Sequence, residues 1–262
     1  MNSFSKKVIL VTGATGGLGK EFCRQFIADG AHLILTDLQK EPLESLVKEL
    51  KGSGKVLGTF TGDVSNAEGA KAIYESTIAI SKNIDVLVNN AGIANAGEFA
   101  EIPLDKVELL MQINLLSPMR LCHHFLPDMK KRGTGHIVNI SSVAGLVPMP
   151  GGAPYSASKF GLKGFSDVLR TDYEPHGIKV SSVHPFFTKT AILDSARYGS
   201  AKIASAELPD FLVEDPESVI AETIRGIKKG EKVICPGMVA KSLDVSRRFF
   251  PELLNLMNKY LG

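Results

Sequence analysis

The stretch TGATGGLG, residues 12–19, stands directly after the apolar run Val8-Ile9-Leu10-Val11 and before a segment in which Phe22, Phe26 and Ile27 recur at helical spacing. A β-branched run, a glycine cluster and an amphipathic segment in that order spell a strand–turn–helix unit. The tight turn brings backbone N–H groups at a helix N-terminus within reach of a phosphate. Gly13, Gly17 and Gly19 follow G-x-x-x-G-x-G, with Thr15 and Leu18 between them. A Walker P-loop is excluded, because Glu21 follows Gly19-Lys20 and Ala14 fills the position of the required first glycine. Taken alone, the turn also suits plain packing of a strand against a helix.

Working outward, six further short apolar runs follow: 33–37, 56–60, 85–89, 136–141, 179–184 and 232–235. Each is nearly continuous in apolar residues, as strands buried on both faces of a parallel sheet must be. Between them lie helix-length segments, such as that carrying Leu43, Leu46, Val47 and Leu50. Repeated alternation predicts right-handed βαβ units in an α/β fold, a doubly wound parallel sheet of about seven strands with helices on both faces. No repeat or Ser/Gly linker divides the chain, so residues 1–262 read as one domain. Two regions leave the pattern. Residues 186–215 carry no strand signal and leave the end of the sixth strand, where ligands bind in open α/β sheets, so they read as a substrate lid. Residues 238–262 read as a helical tail, with Phe249, Phe250, Leu253, Leu254, Met257, Tyr260 and Leu261 forming an apolar stripe.

The chain has 262 residues with 44% apolar and 22% charged, which excludes disorder-based function. A net charge of +2 argues against a dedicated nucleic-acid binder. The densest basic run, Lys130-Lys131-Arg132, suits a helix C-terminus. Cys23, Cys122 and Cys235 are far apart and form no CxxC pair, which fits a reducing compartment. The apolar run after Lys6-Lys7 is too short for a signal peptide, and no stretch reaches the ~18 residues of a membrane span. A soluble, cytoplasmic protein is expected.

Asp37 ends the second strand, 20 residues beyond Gly17, where a carboxylate can accept both hydroxyls of an adenosine ribose. Asp63-Val64 follows the third strand and either faces an adenine or serves the next helix as a cap. Asn89-Asn90-Ala91-Gly92 ends the fourth strand with small and polar residues, where a ligand can approach the backbone. In the second half, Ser142 ends the fifth strand, Tyr155 follows 13 residues later and Lys159 stands at i+4 from Tyr155. On a helix the last two share a face. The ammonium of Lys159 beside the phenol is expected to lower a pKa that is ordinarily near 10, which suits proton exchange with an alcohol or carbonyl oxygen. Pro118 removes the N–H that would bond the Asn114 carbonyl, predicting a kink inside a helix from Pro103 to Arg132. No histidine pair has metal-ligand spacing, and no metal is expected. No GxSxG surrounds a serine, against an α/β-hydrolase.

These pieces together resemble the short-chain dehydrogenase/reductase family: TGATGGLG, Asp63-Val64, NNAG (89–92), Asn114, Ser142, YSASK (155–159) and Pro185 through Thr190. The resemblance is strong over residues 5–190 and implies a Rossmann-type dinucleotide fold. It implies that Tyr155 is the acid/base and that Lys159 lowers its pKa and binds the nicotinamide ribose. Ser142 would orient the substrate oxygen, and Asn114 would hold a proton-relay water. Pro185, Thr188 and Thr190 would lie at the cofactor, Thr190 reaching the carboxamide. It further implies a homodimer or homotetramer built on the helices near 103–132 and 154–174. One departure is Phe186, where the family commonly has glycine after proline. Phe186, Phe187, Ile192, Leu193, Tyr198, Leu208, Phe211 and Leu212, with Leu146, Val147 and Met149, suggest an apolar pocket, and they suit packing core equally well. The expected activity is NAD-dependent exchange between a secondary alcohol and a ketone or aldehyde. NADP is disfavoured by Asp37. The competing reading is a non-catalytic dinucleotide-binding sensor or scaffold.

Overall fold

The computed structural model describes residues 4–50, 52, 54–190, 196–199 and 213–249. Its first half runs β1 (Val8–Thr12), α1 (Gly17–Ala28), β2 (His32–Asp37), α2 (Lys40–Glu49), β3 (Lys55–Thr61), α3 (Ala67–Ile80), β4 (Val86–Asn89) and β5 (Ala96–Gly97). Then follow α4 (Leu104–Met111), α5 (Ser117–Arg132), β6 (Gly135–Ile140), α6 (Ala153–Tyr173) and β7 (Ile178–Val183). The chain continues through β8 (Arg197–Tyr198), α7 (Pro216–Lys229), β9 (Val233–Ile234) and α8 (Met238–Phe249).

Seven strands pair in the order β3-β2-β1-β4-β6-β7-β9, every pair parallel. Winding reverses between β3 and β4, so the crevice beyond the carboxyl ends of β1 and β4 is the switch point at which such folds bind ligands. Period-two alternation divides the strand side chains between two cores. Ile9, Val11, Leu33, Leu35, Val86 and Val88 face Phe22, Phe26, Leu43 and Leu46 of α1 and α2, with Ile220, Ile224 and Ile227 of α7. Leu10, Ile34, Leu87 and Ile137 face Ala70 and Ile73 of α3, Leu121, Phe125 and Met129 of α5, and Leu169 of α6. Burial on both faces is why the runs lacked polar alternation.

Two expectations need correction. The segment expected as one helix from Pro103 to Arg132 is interrupted by a wide π turn at Gln112–Leu116, where the Ser117 N–H bonds the carbonyl of Gln112 five residues back. Pro118 removes the donor that would continue the ordinary ladder from Asn114, and the widened turn is the local solution. The region 186–215 does contain strand: β8 pairs in parallel with β5, and Thr188 bridges to Glu214. These contacts are to residues distant in sequence, so no local periodicity marks them. Leu146 and Val147, which suited either an apolar pocket or the core, are buried with Cys235 and, from α8, Leu243 packed against them.

Of the expected tail stripe, only Phe249 falls among the described residues, and it is exposed. Phe250, Leu253, Leu254, Met257, Tyr260 and Leu261 lie outside them, as do Ile192, Leu193, Leu208, Phe211 and Leu212. Lys130, Lys131 and Arg132 form the last turn of α5. Among the described residues no helix is long and apolar enough to cross a membrane.

Candidate active site

The glycine turn joins β1 to α1, and each of its three spaced glycines has its own steric reason. Gly13 has φ +62°, and a Cβ there would come within 2.8 Å of Ala91 Cα. A Cβ on Gly19 would lie 2.0 Å from the Gly13 carbonyl oxygen, and one on Gly17 would lie 2.5 Å from Thr190 Cγ2. Two of the three therefore let the chain pack on itself, while Gly17 admits the segment leaving β7. Gly16 caps α1 without a side-chain hydrogen bond, and no acidic residue occupies the first turn. That helix end offers backbone donors to an anion, and the residues present fit a pyrophosphate. The side chain of Leu18 packs against the core.

Thr15 and Asp37, expected to meet a cofactor separately, also meet each other. The Thr15 N–H and hydroxyl both donate to Asp37 Oδ2, at 2.8 and 2.6 Å, and the Leu38 N–H donates to Oδ1 at 2.8 Å. The carboxylate is thereby fixed at the end of β2, with both acceptor sites of Oδ2 filled and one remaining on Oδ1. Asp63 supports the start of α3: it accepts from the Ser65 N–H and from Asn66, whose own side chain caps the helix. Val64 is buried in the second core.

Beyond β4 the chain is stitched to the glycine turn. The Asn90 amide donates to the carbonyls of Thr12 and Gly13, and the N–H groups of Asn90 and Ala91 both donate to Thr12 Oγ1. Gly92 lies where a Cβ would be 3.3 Å from Asn114 Oδ1 and 3.7 Å from Lys159 Nζ. The cofactor-side loop thus meets the catalytic candidates there.

Asn114, centred in the π turn, is buried. Its Oδ1 accepts from the Ile93 N–H at 2.9 Å, and its Nδ2 donates to the Ile93 carbonyl at 2.8 Å and to Ser158 Oγ at 3.3 Å. Ser158 in turn donates to the Tyr155 carbonyl. Ser142 follows β6 as the cap of a short 3₁₀ turn, its Oγ accepting from the Ala144 N–H. That leaves its single proton for a further acceptor, and the Ser142 hydroxyl acts on the Tyr155 phenol by lowering its pKa. Lys159 Nζ is buried, donates to the Ile140 carbonyl at 2.9 Å and lies 5.5 Å from the centroid of the Tyr155 ring.

Burial pushes the Tyr155 phenol above its ordinary value, while the Ser142 hydroxyl pulls it down. Lys159 is itself brought down to about 8 by burial, and its ammonium lies over the aromatic ring. At the phenol, desolvation outweighs the Ser142 contribution.

Pro185 is buried, and its carbonyl accepts from the Val143 N–H. Thr188 is buried with its hydroxyl on the Phe186 carbonyl, and Thr190 stands over Gly17. Phe186 needs no glycine-like backbone, since the only non-glycine residue with positive φ among those described is Lys6. Its ring packs edge-to-face on Phe187 at 4.9 Å.

Sequence reasoning missed Thr12, Ile93 and Ser158, which join the halves through backbone groups and the hydroxyls of Thr12 and Ser158. It also missed the buried chain Asn89–Asn139–Ser166 beneath the site. Among the described residues no group of three or more His, Cys, Asp or Glu could hold a metal ion.

A doubly wound sheet with a phosphate-sized glycine turn and a Ser–Tyr–Lys–Asn cluster at one mouth defines a Rossmann-type oxidoreductase class. A profile of the short chain dehydrogenases matches residues 7–201, and the chain belongs to that family. An oxidoreductase of Thermotoga maritima is 36% identical over 218 residues, covering 83% of this chain and 84% of that one. The crystal structure of a short-chain dehydrogenase from Streptomyces avermitilis has a TM-score of 0.82 at 28% identity, covering 98% of each chain. A short-chain dehydrogenase from Sphingobium yanoikuyae in complex with NADPH has a TM-score of 0.79 at 27% identity, over 94% of this chain and 95% of that one.

Proposed function

We propose that this chain is an NAD(H)-dependent oxidoreductase interconverting an apolar secondary alcohol and its ketone or aldehyde, with Tyr155 as the acid/base. The observation that carries this reading is Lys159, buried with its Nζ 5.5 Å from the centroid of the Tyr155 ring, while the Ser142 hydroxyl lowers the pKa of the same phenol. The nicotinamide supplies the hydride acceptor or donor. Gly13, Thr15, Gly17, Leu18, Gly19, Asn90, Ala91 and Gly92 form its backbone cradle, with Pro185, Thr188 and Thr190 closing from the β7 side. Asp37 holds the adenosine ribose, and Asp63 and Val64 border the adenine.

Tyr155 is neutral at pH 7, so in reduction it gives its proton to the carbonyl oxygen as the alcohol forms. In oxidation its oxygen receives the alcohol proton. The Lys159 ammonium and the cationic oxidised nicotinamide favour the phenolate needed for that direction. Ser142 orients the substrate oxygen, and Asn114 belongs to the path that returns the proton to solvent through Lys159.

Phe186, Phe187, Met149 and Tyr198 supply apolar surface beside the site, which favours a medium or large hydrophobic substrate. Leu104, Leu109, Met119, Phe160 and Val168 are exposed on α4, α5 and α6, which supports pairing with a second copy through those helices. Three unpaired cysteines suit a reducing, cytoplasmic location.

The test is Tyr155→Phe, assayed by nicotinamide absorbance on a panel of secondary alcohols and ketones that includes 2-octanol and cyclohexanone. Turnover should fall by about 10²–10⁴-fold with NAD affinity retained. Unchanged turnover removes Tyr155 from the chemistry. NAD binding by the wild type with no turnover on any panel member would favour a sensor or scaffold instead.

A further inference from the structure

The residue after β7, His184, is completely buried and makes hydrogen bonds at both ring nitrogens. Its Nδ1 lies 3.0 Å from the Ser142 carbonyl oxygen, and its Nε2 lies 3.0 Å from Ser182 Oγ. A carbonyl can only accept, so the proton is on Nδ1, and Nε2 accepts from the Ser182 hydroxyl. Burial holds the imidazole at about 4, so the ring is neutral at pH 7. The Ser142 contact and Asp244 of α8 raise that value, while Lys163 of α6 and Arg247 of α8 lower it.

The Ser142 carbonyl also accepts from the Gly145 N–H at 2.9 Å, so both of its lone pairs are used. On either side, the Ser141 N–H donates to Val183 and the Val143 N–H to Pro185, at 2.8 and 3.0 Å. The peptide plane of Ser142 is therefore clamped from the end of β7, with His184 the only side chain in the clamp. Rotating that plane would swing the Cα–Cβ bond and aim the hydroxyl away from the phenol oxygen.

We propose that His184 is a positioning residue: through its Nδ1–H it locks the Ser142 carbonyl and so directs the Ser142 hydroxyl at Tyr155. It touches no reacting atom. The inference rests on the reading of Ser142 as the partner of Tyr155, and the test separates the two. An amide at the Nδ1 position is retained by His184→Asn, whereas His184→Gln places its amide at the Nε2 position. The pair differs in the one bond that matters and keeps a polar group in both variants.

The first readout is an ultraviolet difference titration of tyrosinate, with the signal of Tyr155→Phe subtracted. It needs neither substrate nor cofactor. Ser142→Ala should raise the Tyr155 midpoint, because the hydrogen bond that lowers it is gone. His184→Gln should raise it in the same direction, and His184→Asn should recover most of the wild-type value. The second readout is kcat on 2-octanol or whichever panel member is turned over. His184→Gln should lower kcat about tenfold with the NAD dissociation constant unchanged, and Ser142→Ala/His184→Gln should be no worse than Ser142→Ala alone. A lowered Tm with normal midpoint and normal kcat would make His184 structural only, and overturn the inference. Additive effects in the double variant would overturn it too. If Ser142→Ala itself moves neither midpoint nor kcat, the reading of Ser142 fails first, and the inference with it.

Discussion

At the β1–α1 turn the chain presses on itself, with glycines admitting contacts as close as 2.0 Å from a would-be Cβ. Around Tyr155 the contacts are hydrogen bonds between side chains and backbone groups drawn from β6, the π turn, α6 and the loop after β4. The two halves of the cleft therefore fail in different ways. The first tolerates no added volume and is encoded by absent side chains close together in sequence. The second tolerates no lost donor and is encoded by polar groups that folding brings together. A buried polar group that loses its partner costs about 1–3 kcal/mol, while a methyl forced into a closed backbone contact strains the main chain.

Acid should strike the second half hardest, and by the largest margin. His136 opens β6 and His184 follows β7, and burial lowers their values to about 3 and about 4 from an ordinary 6.5. Because both folded values lie below the unfolded one, the unfolded chain takes up protons that the native state refuses. Stability is complete above that ordinary value and is lost as pH falls toward the folded ones. Between about pH 7 and about pH 4.5 each histidine should cost roughly 2–3 kcal/mol. Urea unfolding at both pH values measures this, and His136→Gln should flatten the slope. An unaltered slope in that variant would mean that acid lability resides elsewhere.

Gly19→Val probes the first half. Its Cβ would sit inside the Gly13 carbonyl contact, and the expected loss is about 3 kcal/mol, or a Tm lower by about 10 °C. Thermal unfolding followed by circular dichroism decides it, and a Tm within a degree or two of wild type would break the contrast between the halves.

Asp37→Ala sharpens the comparison at the smallest scale, because here the first half depends on charge rather than volume. A carboxylate about 4 Å from a 2′-phosphate repels it by roughly 4 kcal/mol at an effective dielectric near 20. With screening, about 2 kcal/mol remains, a roughly 30-fold preference for NAD. The kcat/KM ratio for the two cofactors should approach unity in Asp37→Ala. A wild-type preference for NADP would remove Asp37 as the ribose ligand.

How far the sequence could be read followed the range of the interaction involved. The seven strands, the glycine turn and the i, i+4 pair of Tyr155 and Lys159 are visible because each rests on a short period or a fixed spacing. Leu146 and Val147 read as pocket or core alike, because an apolar side chain gives no sign of whether it faces a ligand or Leu243 about a hundred residues later. Asp63 read as cap or cofactor contact alike, because its place after the third strand does not specify the bonds it makes to Ser65 and Asn66. Phe186 departs from the usual glycine, and only its backbone angle tells that no glycine is required there.

Composition, periodicity and spacing by themselves determined the doubly wound sheet and the order of its elements. Those properties are set by which side chains a strand or helix must bury, and that is written locally. Tertiary structure alone decided that Thr15 holds Asp37, that Asn114 is pinned to Ile93 inside a π turn, that Lys159 faces the ring of Tyr155 and that His184 grips Ser142. Each depends on desolvated polar groups from distant segments finding one another. Their pairing energy exists only once the sheet has closed and water has left.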